Sequence, residues 1–454
     1  MGNYILAHVL ISEAPNRNNR GEDGRVKTIS VGGVLRKLVT GDCLKRTMSD
    51  ARDAKEIRSA EIERYLDLYF EELKDPELSE AKVNFLGENI CLCGFGNKHW
   101  SKLKKRAPVK DPEADSAAQD DPGRTIVVTH TAQLFAIVEA GLSAFKEFRE
   151  SEKDMDLFNA AVNGDAEAVG DNGKRLSQSA VKSKRQAIVT AMDRRMQQAS
   201  EEAGVTITEI YKGKMTASGV TGTVASAMRL GDSISIDPLS RVVNTYTAKG
   251  VVREDCDPNS PDPKFRALAR FAEYVNGKTC ADHINTNDRA ANTMYRPISV
   301  DIGLLYRSVM SKPGLDGSRE KLDEILGEET AQWICSLALA NPTGGQTTSM
   351  SKTRPGILYV EAISHGDEYQ LDWTKPVIST TGDVMEQGVK RLLDQITDIS
   401  FDDNDTVARY VLLRRDLREM YAADFEAAGV KVLNNIGEMR AALAEETVRL
   451  GKHL

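Results

Sequence analysis

The chain has 454 residues, 41% of them hydrophobic, and a formal net charge of −8 at pH 7. That length and apolar share allow one large elaborated domain, or two to three ordinary ones, around a substantial core. The acidic balance excludes a protein that coats nucleic acid over its whole surface, but it leaves room for a focused cationic groove. Six scattered cysteines suit a reducing compartment. No apolar run reaches the roughly eighteen residues of a spanning helix, and no signal-peptide succession is present, so a cytoplasmic protein without membrane contact is expected.

In chain order, the first element is a hydrophobic run from Ile5 to Ile11, rich in β-branched residues and ended before Pro15, which reads as a strand. From Asn16 to Arg46 the chain carries Arg17, Arg20, Arg25, Lys27, Arg36, Lys37, Lys45 and Arg46 against Glu22, Asp23 and Asp42. A basic segment in an acidic protein is the footprint of a polyanion site, and equally of a solvated face. Thr40-Gly41-Asp42 reads as the cap of a helix that carries Leu44-Lys45-Arg46. Residues 57–73 repeat apolar side chains at three and four up to Asp75-Pro76, the pattern of an amphipathic helix.

Residues 98–106 are the densest basic run, with Trp100 inside it, and fit either a nucleic-acid backbone contact or a solvated helix face. Residues 107–123 are acidic and contain proline, which predicts a mobile loop. A strand at 125–128, a helix at 132–148, a second acidic patch at 164–173 and a Lys/Arg-rich helical region at 174–203 follow. The stretch 50–203 therefore reads as a largely helical insertion.

Residues 205–211 are rich in β-branched side chains and predict a strand returning to the sheet. Pro258, Pro261 and Pro263 mark an extended loop. Around Gly344-Gly345 a glycine-rich loop offers backbone N–H groups to a phosphate, but lacks the Gly-Lys-Ser/Thr of a nucleotide loop. It precedes a strand at 357–361. An amphipathic helix at 384–396, a strand at 410–413 and closing helices to 450 complete the chain.

Catalytic patterns are missing. Cys91, Cys93 and His99 lack a second cysteine pair at zinc-site spacing, so neither metal nor cofactor is expected. There is no Gly-x-Ser-x-Gly elbow and no His-Glu-x-x-His helix.

The order Asn19-Arg20, Lys27, Gly32-Gly33, Arg36, then Leu44-Lys45-Arg46, behind a strand ending His8-Val9-Leu10-Ile11-Ser12, resembles the N-terminus of the backbone subunit of Cascade, the type I-E CRISPR surveillance complex (the CasC family). The likeness runs about forty-five residues without a gap; Val34, Asp42 and Ser49 depart from the pattern. Farther on, Ser226-Ala227-Met228 resembles the family turn whose methionine wedges into the guide, with a helix expected over 236–247. Residues 281–297, including His283, resemble a hairpin thumb that re-enters the sheet through a strand at 298–305.

The resemblance implies an α+β fold: an RRM-like (ferredoxin-like) palm from residues 1–49, 204–252 and 297–454, helical fingers at 50–203, and a thumb at 253–296. It implies a non-catalytic subunit that polymerises with neighbouring copies of itself along CRISPR guide RNA, beside other Cascade subunits, and presents the guide to a target DNA strand. The RNA contacts so implied are Asn19, Arg20, Lys27, Gly32, Gly33, Arg36, Thr40, Lys45, Arg46, Met228, Arg229 and His283. Two other classes stay open: a type III-like ribonuclease with Asp42 as its acid, and a metabolic α+β enzyme holding an anion at its glycine loop.

Overall fold

The computed structural model describes residues 2–51, 56–96, 128–164, 169, 175–214, 219–248, 257–277, 283–311, 318–342, 351–379, 383–398 and 404–452. The basic run 98–106, the acidic loop 107–123 and the glycine pair at 344–345 lie outside them.

Strand β1 (Gly2–Ser12) is buried along most of its length and takes a partner on each edge. A strand of β-branched and aliphatic residues with apolar side chains on both faces suits the middle of a sheet covered on both sides. After β2 (Thr28–Val31) and β3 (Val34–Val39), and apart from the sheet-forming path the pair β4 (Glu56–Arg58) and β5 (Val128–His130), come β6 (Met228–Leu230), β7 (Ser233–Ser235), β8 (Arg241–Ala248), β9 (His283–Ala290), β10 (Thr293–Asp301), β11 (Ile357–Gly366), β12 (Thr406–Leu413) and β13 (Lys431–Leu433). The main sheet runs β13-β12-β11-β1-β10-β7-β3-β2, with β6 also on β10. β1 is antiparallel to both neighbours, Val9 lying opposite Arg296 and Leu358. Only β12 and β13 pair in parallel among the described strands. The fold is thus α+β with one large mixed sheet.

The alternation along β1 decides what covers each face. Ile5, Ala7 and Val9 join a core with helices Ile302–Met310, Arg319–Leu339 and Ile436–Gly451. Leu10, with Tyr295 and Tyr359, faces helix Val384–Thr397 and the segment around Trp373. Each fully buried aliphatic side chain contributes about 1.5–3 kcal/mol. Helices Ser59–Leu73, Glu80–Asn89 with its following π turn, Thr131–Ser151, Met155–Asn163 and Gln178–Ala203 surround a separate core that includes Phe85, Phe145 and Met196.

Four local expectations are corrected. Residues 207–212 are helical, because Thr206 and Glu209 form a reciprocal capping box that outweighs the β-branched side chains. Residues 241–248 are strand β8 rather than helix, paired along their length with β9. The strand expected over 298–305 ends at Asp301, whose carboxylate caps the next helix at the Leu304 amide. The helix expected over 57–73 begins at Ser59, after a short strand.

His8 sits on β1 inside a buried polar cluster. The Leu371 amide donates to Tyr295 Oη (3.0 Å), and the same hydroxyl shares a hydrogen bond with His8 Nδ1 (2.8 Å). Tyr359 and Tyr369 both donate to Glu361, which Arg409 approaches to 3.4 Å. Burial pushes the His8 pKa down to about 3. A depressed pKa means that the unfolded chain binds the extra proton first, so stability is full above pH 6.5 and falls as the pH drops toward 3. Between pH 6.5 and 4.5 this residue should remove about 2 kcal/mol of stability. Urea unfolding at both pH values should show that component in the parent protein and not in His8→Phe; equal pH dependence in the two would refute the assignment.

Candidate nucleic-acid interface

Beyond Ser12 the chain leaves β1 and enters the loop 13–27, which is basic and also rigidly tied. Asn16 exchanges two backbone hydrogen bonds with Ala290 (3.0 and 2.9 Å), the Val26 amide donates to Asp288 (3.1 Å), and the Lys27 amide donates to the Asn19 carbonyl (2.9 Å). Beneath the loop, Lys37 on β3 is fully buried, and its Nζ donates to Glu13 Oε2 (2.5 Å) and Asn16 Oδ1 (2.6 Å). A buried ion pair offsets its desolvation only when such added hydrogen bonds are present. Asn16 Nδ2 supplies another, to the same Glu13 oxygen (3.0 Å).

The loop then meets helix α1 (Gly41–Ala51). Asn19 Nδ2 donates to Thr40 Oγ1 (3.1 Å), joining loop to helix entrance. The Gly41 amide is taken by Asp232 (3.0 Å), so the capping expected of Asp42 comes from a residue far along the chain. Asp42 stands exposed in the first turn, where a carboxylate favours the helix dipole.

Around α1 the cations gather. Burial pushes the Cys43 thiol up, while Arg46 and Lys27 pull it the other way, so both lie near this sulfur. Lys45 is half-buried; burial holds its ammonium below the ordinary lysine range, Asp42 opposes this, and Lys212 reinforces it. Lys45 Nζ donates to the Met228 carbonyl (3.2 Å), which fixes the stem. Arg46 and Arg20 are exposed, and Lys27 is half-buried at the loop's end. The result is a strip of positive charge on a braced loop and helix, suited to oxyanions spaced along a chain rather than to one small metabolite.

Other residues expected here are used elsewhere. Arg36 is fully buried: it donates to the carbonyls of Ser235 (2.8 Å), Ile236 (3.2 Å), Trp373 (3.1 Å) and Thr374 (2.9 Å), leaving its guanidinium no reach to a phosphate. Gly32 and Gly33 have φ of 63° and 76° and make the two-residue turn between β2 and β3. A Cβ on Gly32 would strike the Thr374 carbonyl, whereas Gly33 faces open space. Met228 is fully buried in the main core, which corrects its reading as a wedge. Arg229, its neighbour on β6, points to the other face and pairs with Glu368, so it does not join Lys45. His283 pairs with Ala248 at one end of the β8–β9 hairpin. Lys212 was not singled out as a site residue; it lies far from α1 in sequence, and no periodicity connects them.

Among the described residues no three His, Cys, Asp or Glu side chains group to hold a metal, and no helix is long and apolar enough to cross a membrane. Cys91 is buried in the helical core, with its thiol pushed well up by burial. His99 lies outside the described residues.

Residues 272–436 match the family model of the CT1975-like proteins (Cas_CT1975). The fold matches a chain of a "CRISPR RNA-guided surveillance complex, pre-nicking" with a TM-score of 0.58 and 14% identity, covering 98% of this chain and 100% of that one. The family match thus covers one segment of the chain, and the likeness to the surveillance-complex chain is one of fold. A chain of another "CRISPR RNA-guided surveillance complex" aligns at 10% identity over 97% of this chain and 99% of that one, with a TM-score of 0.44. No curated protein matches. The CT1975-like segment holds β9 through β13 and their helices, and of the site residues expected from sequence it includes His283 alone. The cationic loop and α1 precede it.

Lys37→Met leaves Glu13 charged, buried and half-satisfied, and should cost about 3–5 kcal/mol. The double change Lys37→Met/Glu13→Leu should recover much of that loss in denaturant titration. A single-variant cost below about 1 kcal/mol would show that the pair does not anchor the loop.

Proposed function

We propose that this chain is the guide-RNA-binding backbone subunit of a Cascade-type surveillance complex of the type I-E kind, polymerising with copies of itself along CRISPR RNA and holding it for pairing with a target DNA strand. The observation that carries the reading is the convergence of Lys27, Lys45, Lys212 and Arg46 on the first turns of α1, beside a loop immobilised by the Lys37–Glu13 pair. In this reading Arg20, Lys27, Lys45 and Arg46 hold successive phosphates, Asn19 and Thr40 fix the loop that presents them, and the open backbone at Gly33 allows close approach. The large sheet serves as an RRM-like palm, the separately cored helices of 50–203 as fingers, and the region 253–296, entered from β8, as the thumb. Sequence is read by the guide's own base pairing, so the protein needs backbone and shape contacts rather than base-specific ones.

This role requires no bond-breaking step. Asp42 belongs to the electrostatics of α1 rather than to a ribonuclease, because it has the Lys45 ammonium as a neighbour and the helix dipole to complement. The setting is the cytoplasm, among the other subunits of the complex.

Lys27→Ala and Lys45→Ala should each weaken guide-RNA binding and together lower the slope of log affinity against log salt by about 2. Fluorescence anisotropy over a salt series reads both quantities. An unchanged slope would remove these lysines from the phosphates. Sequencing the nucleic acid that co-purifies with the chain, expressed with its neighbouring genes and a repeat array, should return repeat-derived RNA; purification free of RNA would sink the reading.

A further inference from the structure

A cavity of about 750 Å3 opens where helix Gln178–Ala203 and the π turn Ile90–Gly94 meet the segment 219–222. That segment is seated on the turn: the Gly94 carbonyl accepts the Val220 amide (3.2 Å), and a Cβ on Gly219, whose φ is 95°, would strike Phe95 and Gly96. A volume of this size is that of a small-molecule site. Its wall mixes apolar side chains, Leu92, Val205 and Val220, with the carboxylates Asp193 and Glu201. None of the described lining residues is Lys, Arg or His. The Lys214 ammonium reaches Gln133, a further lining residue, at 2.8 Å, but it is buried and paired with Glu209 (3.3 Å).

The charges on this wall break a local rule. Asp193, Gln197 and Glu201 recur at every fourth residue and form one stripe of the helix, which sets the two carboxylate positions about 12 Å apart along its axis. Glu201 and Glu202 occupy the last turn, which holds no basic residue, although the carbonyls that end a helix favour cations. Neither Asp193 nor Glu201 forms an ion pair with a described residue; Glu201 accepts from the Gln197 amide (3.2 Å). Burial pushes the Cys93 thiol, also on the wall, up to about 11, and Asp193 adds to the shift. Thr221 lines the cavity at 4% exposure, and its hydroxyl meets no hydrogen-bond partner among the described residues. A buried hydroxyl left in that condition destabilises the fold until a partner reaches it.

We infer that this cavity binds a linear polyamine, whose ammonium groups pair with Asp193 and Glu201 and donate to the Thr221 hydroxyl while its methylenes cover Leu92, Val205 and Val220. An anionic metabolite would meet two unpaired carboxylates and a negative helix end. One metal ion does not suit the wall either, because carboxylates about 12 Å apart along a helix cannot share it, and no three ligating side chains group there among the described residues. A chain of methylenes punctuated by ammonium groups satisfies both kinds of lining at once. Bound there, it would touch the helices of 59–203 and the segment that leads to β6 together, and so brace their junction. The inference goes beyond guide binding and does not depend on it.

The test titrates spermidine into the full-length protein, freed of nucleic acid by nuclease and high salt, with calorimetry reading affinity and a thermal melt reading stability. Binding should saturate at one per chain. Asp193→Asn/Glu201→Gln should weaken it about tenfold or more, whereas Glu71→Gln/Glu72→Gln, which removes the same charge from the exposed side of helix Ser59–Leu73, should change it less than about twofold. Thr221→Val should weaken binding about threefold and at the same time raise the melting temperature of the unliganded protein, because it deletes an unpartnered buried hydroxyl. These opposite shifts separate a ligand contact from a structural role, and they decide the matter should the double variant unfold. Titration without saturation overturns the inference. Equal losses in the two double variants, or an equal melt shift from magnesium at the same ionic strength, reduce the effect to diffuse attraction and overturn it too. Saturable binding that appears only in Lys102→Ala/Lys104→Ala/Lys105→Ala gives the cavity to the chain's own basic run, which starts two residues after Gly96, and overturns it in favour of that occupant. Lys27→Ala/Lys45→Ala should leave spermidine affinity unchanged, so failure here and failure of the phosphate strip give different readouts.

Discussion

The site depends on one buried contact, the Lys37 ammonium between Glu13 and Asn16. Glu13 opens the loop after β1, Asn16 bonds to the end of β9, and Lys37 belongs to β3, so a single cation ties three separate parts of the chain at one point. Burying that charge is costly, and only its near-complete hydrogen bonding makes it tolerable. What it supplies is geometry. A loop carrying Arg20 and Lys27 would otherwise spend conformational entropy each time it met a ligand.

The same economy appears in Arg36 and Arg296. Both guanidiniums are fully buried and bond only to carbonyls in the described contacts; Arg296 closes the C-terminus of helix Arg319–Leu339 at Leu337 (2.5 Å), Ala338 (3.4 Å) and Ala340 (2.9 Å). A fixed fork of donors suits converging carbonyls as well as it suits phosphates. Charge counting along the sequence therefore overstated the cationic strip: of eight basic residues between Asn16 and Arg46, Arg36 and Lys37 are structural. The inward turn of these two fixes the surface from which the remaining cations project.

The α1 strip is built of ammonium and guanidinium groups on a braced scaffold, which favours a backbone held in one register.

Periodicity and motif order determined much by themselves. The strand Ile5–Ile11, the helices near 132–148 and 384–396, the strand at 410–413 and the ordered basic segment after β1 were all legible, because each rests on local side-chain spacing. Thr206 and Glu209 also wrote a helix start into the sequence, overlooked beside Val205, Ile207 and Ile210. Tertiary structure alone decided the rest: that β1 lies mid-sheet, that Arg36 and Lys37 point inward, that Asp232 rather than Asp42 serves the α1 amide, and that Lys212 joins Lys45. Each of these depends on which faces meet across more than a hundred residues of chain. Local propensity carries no record of that choice; desolvation and long-range hydrogen bonding make it once the sheet has closed.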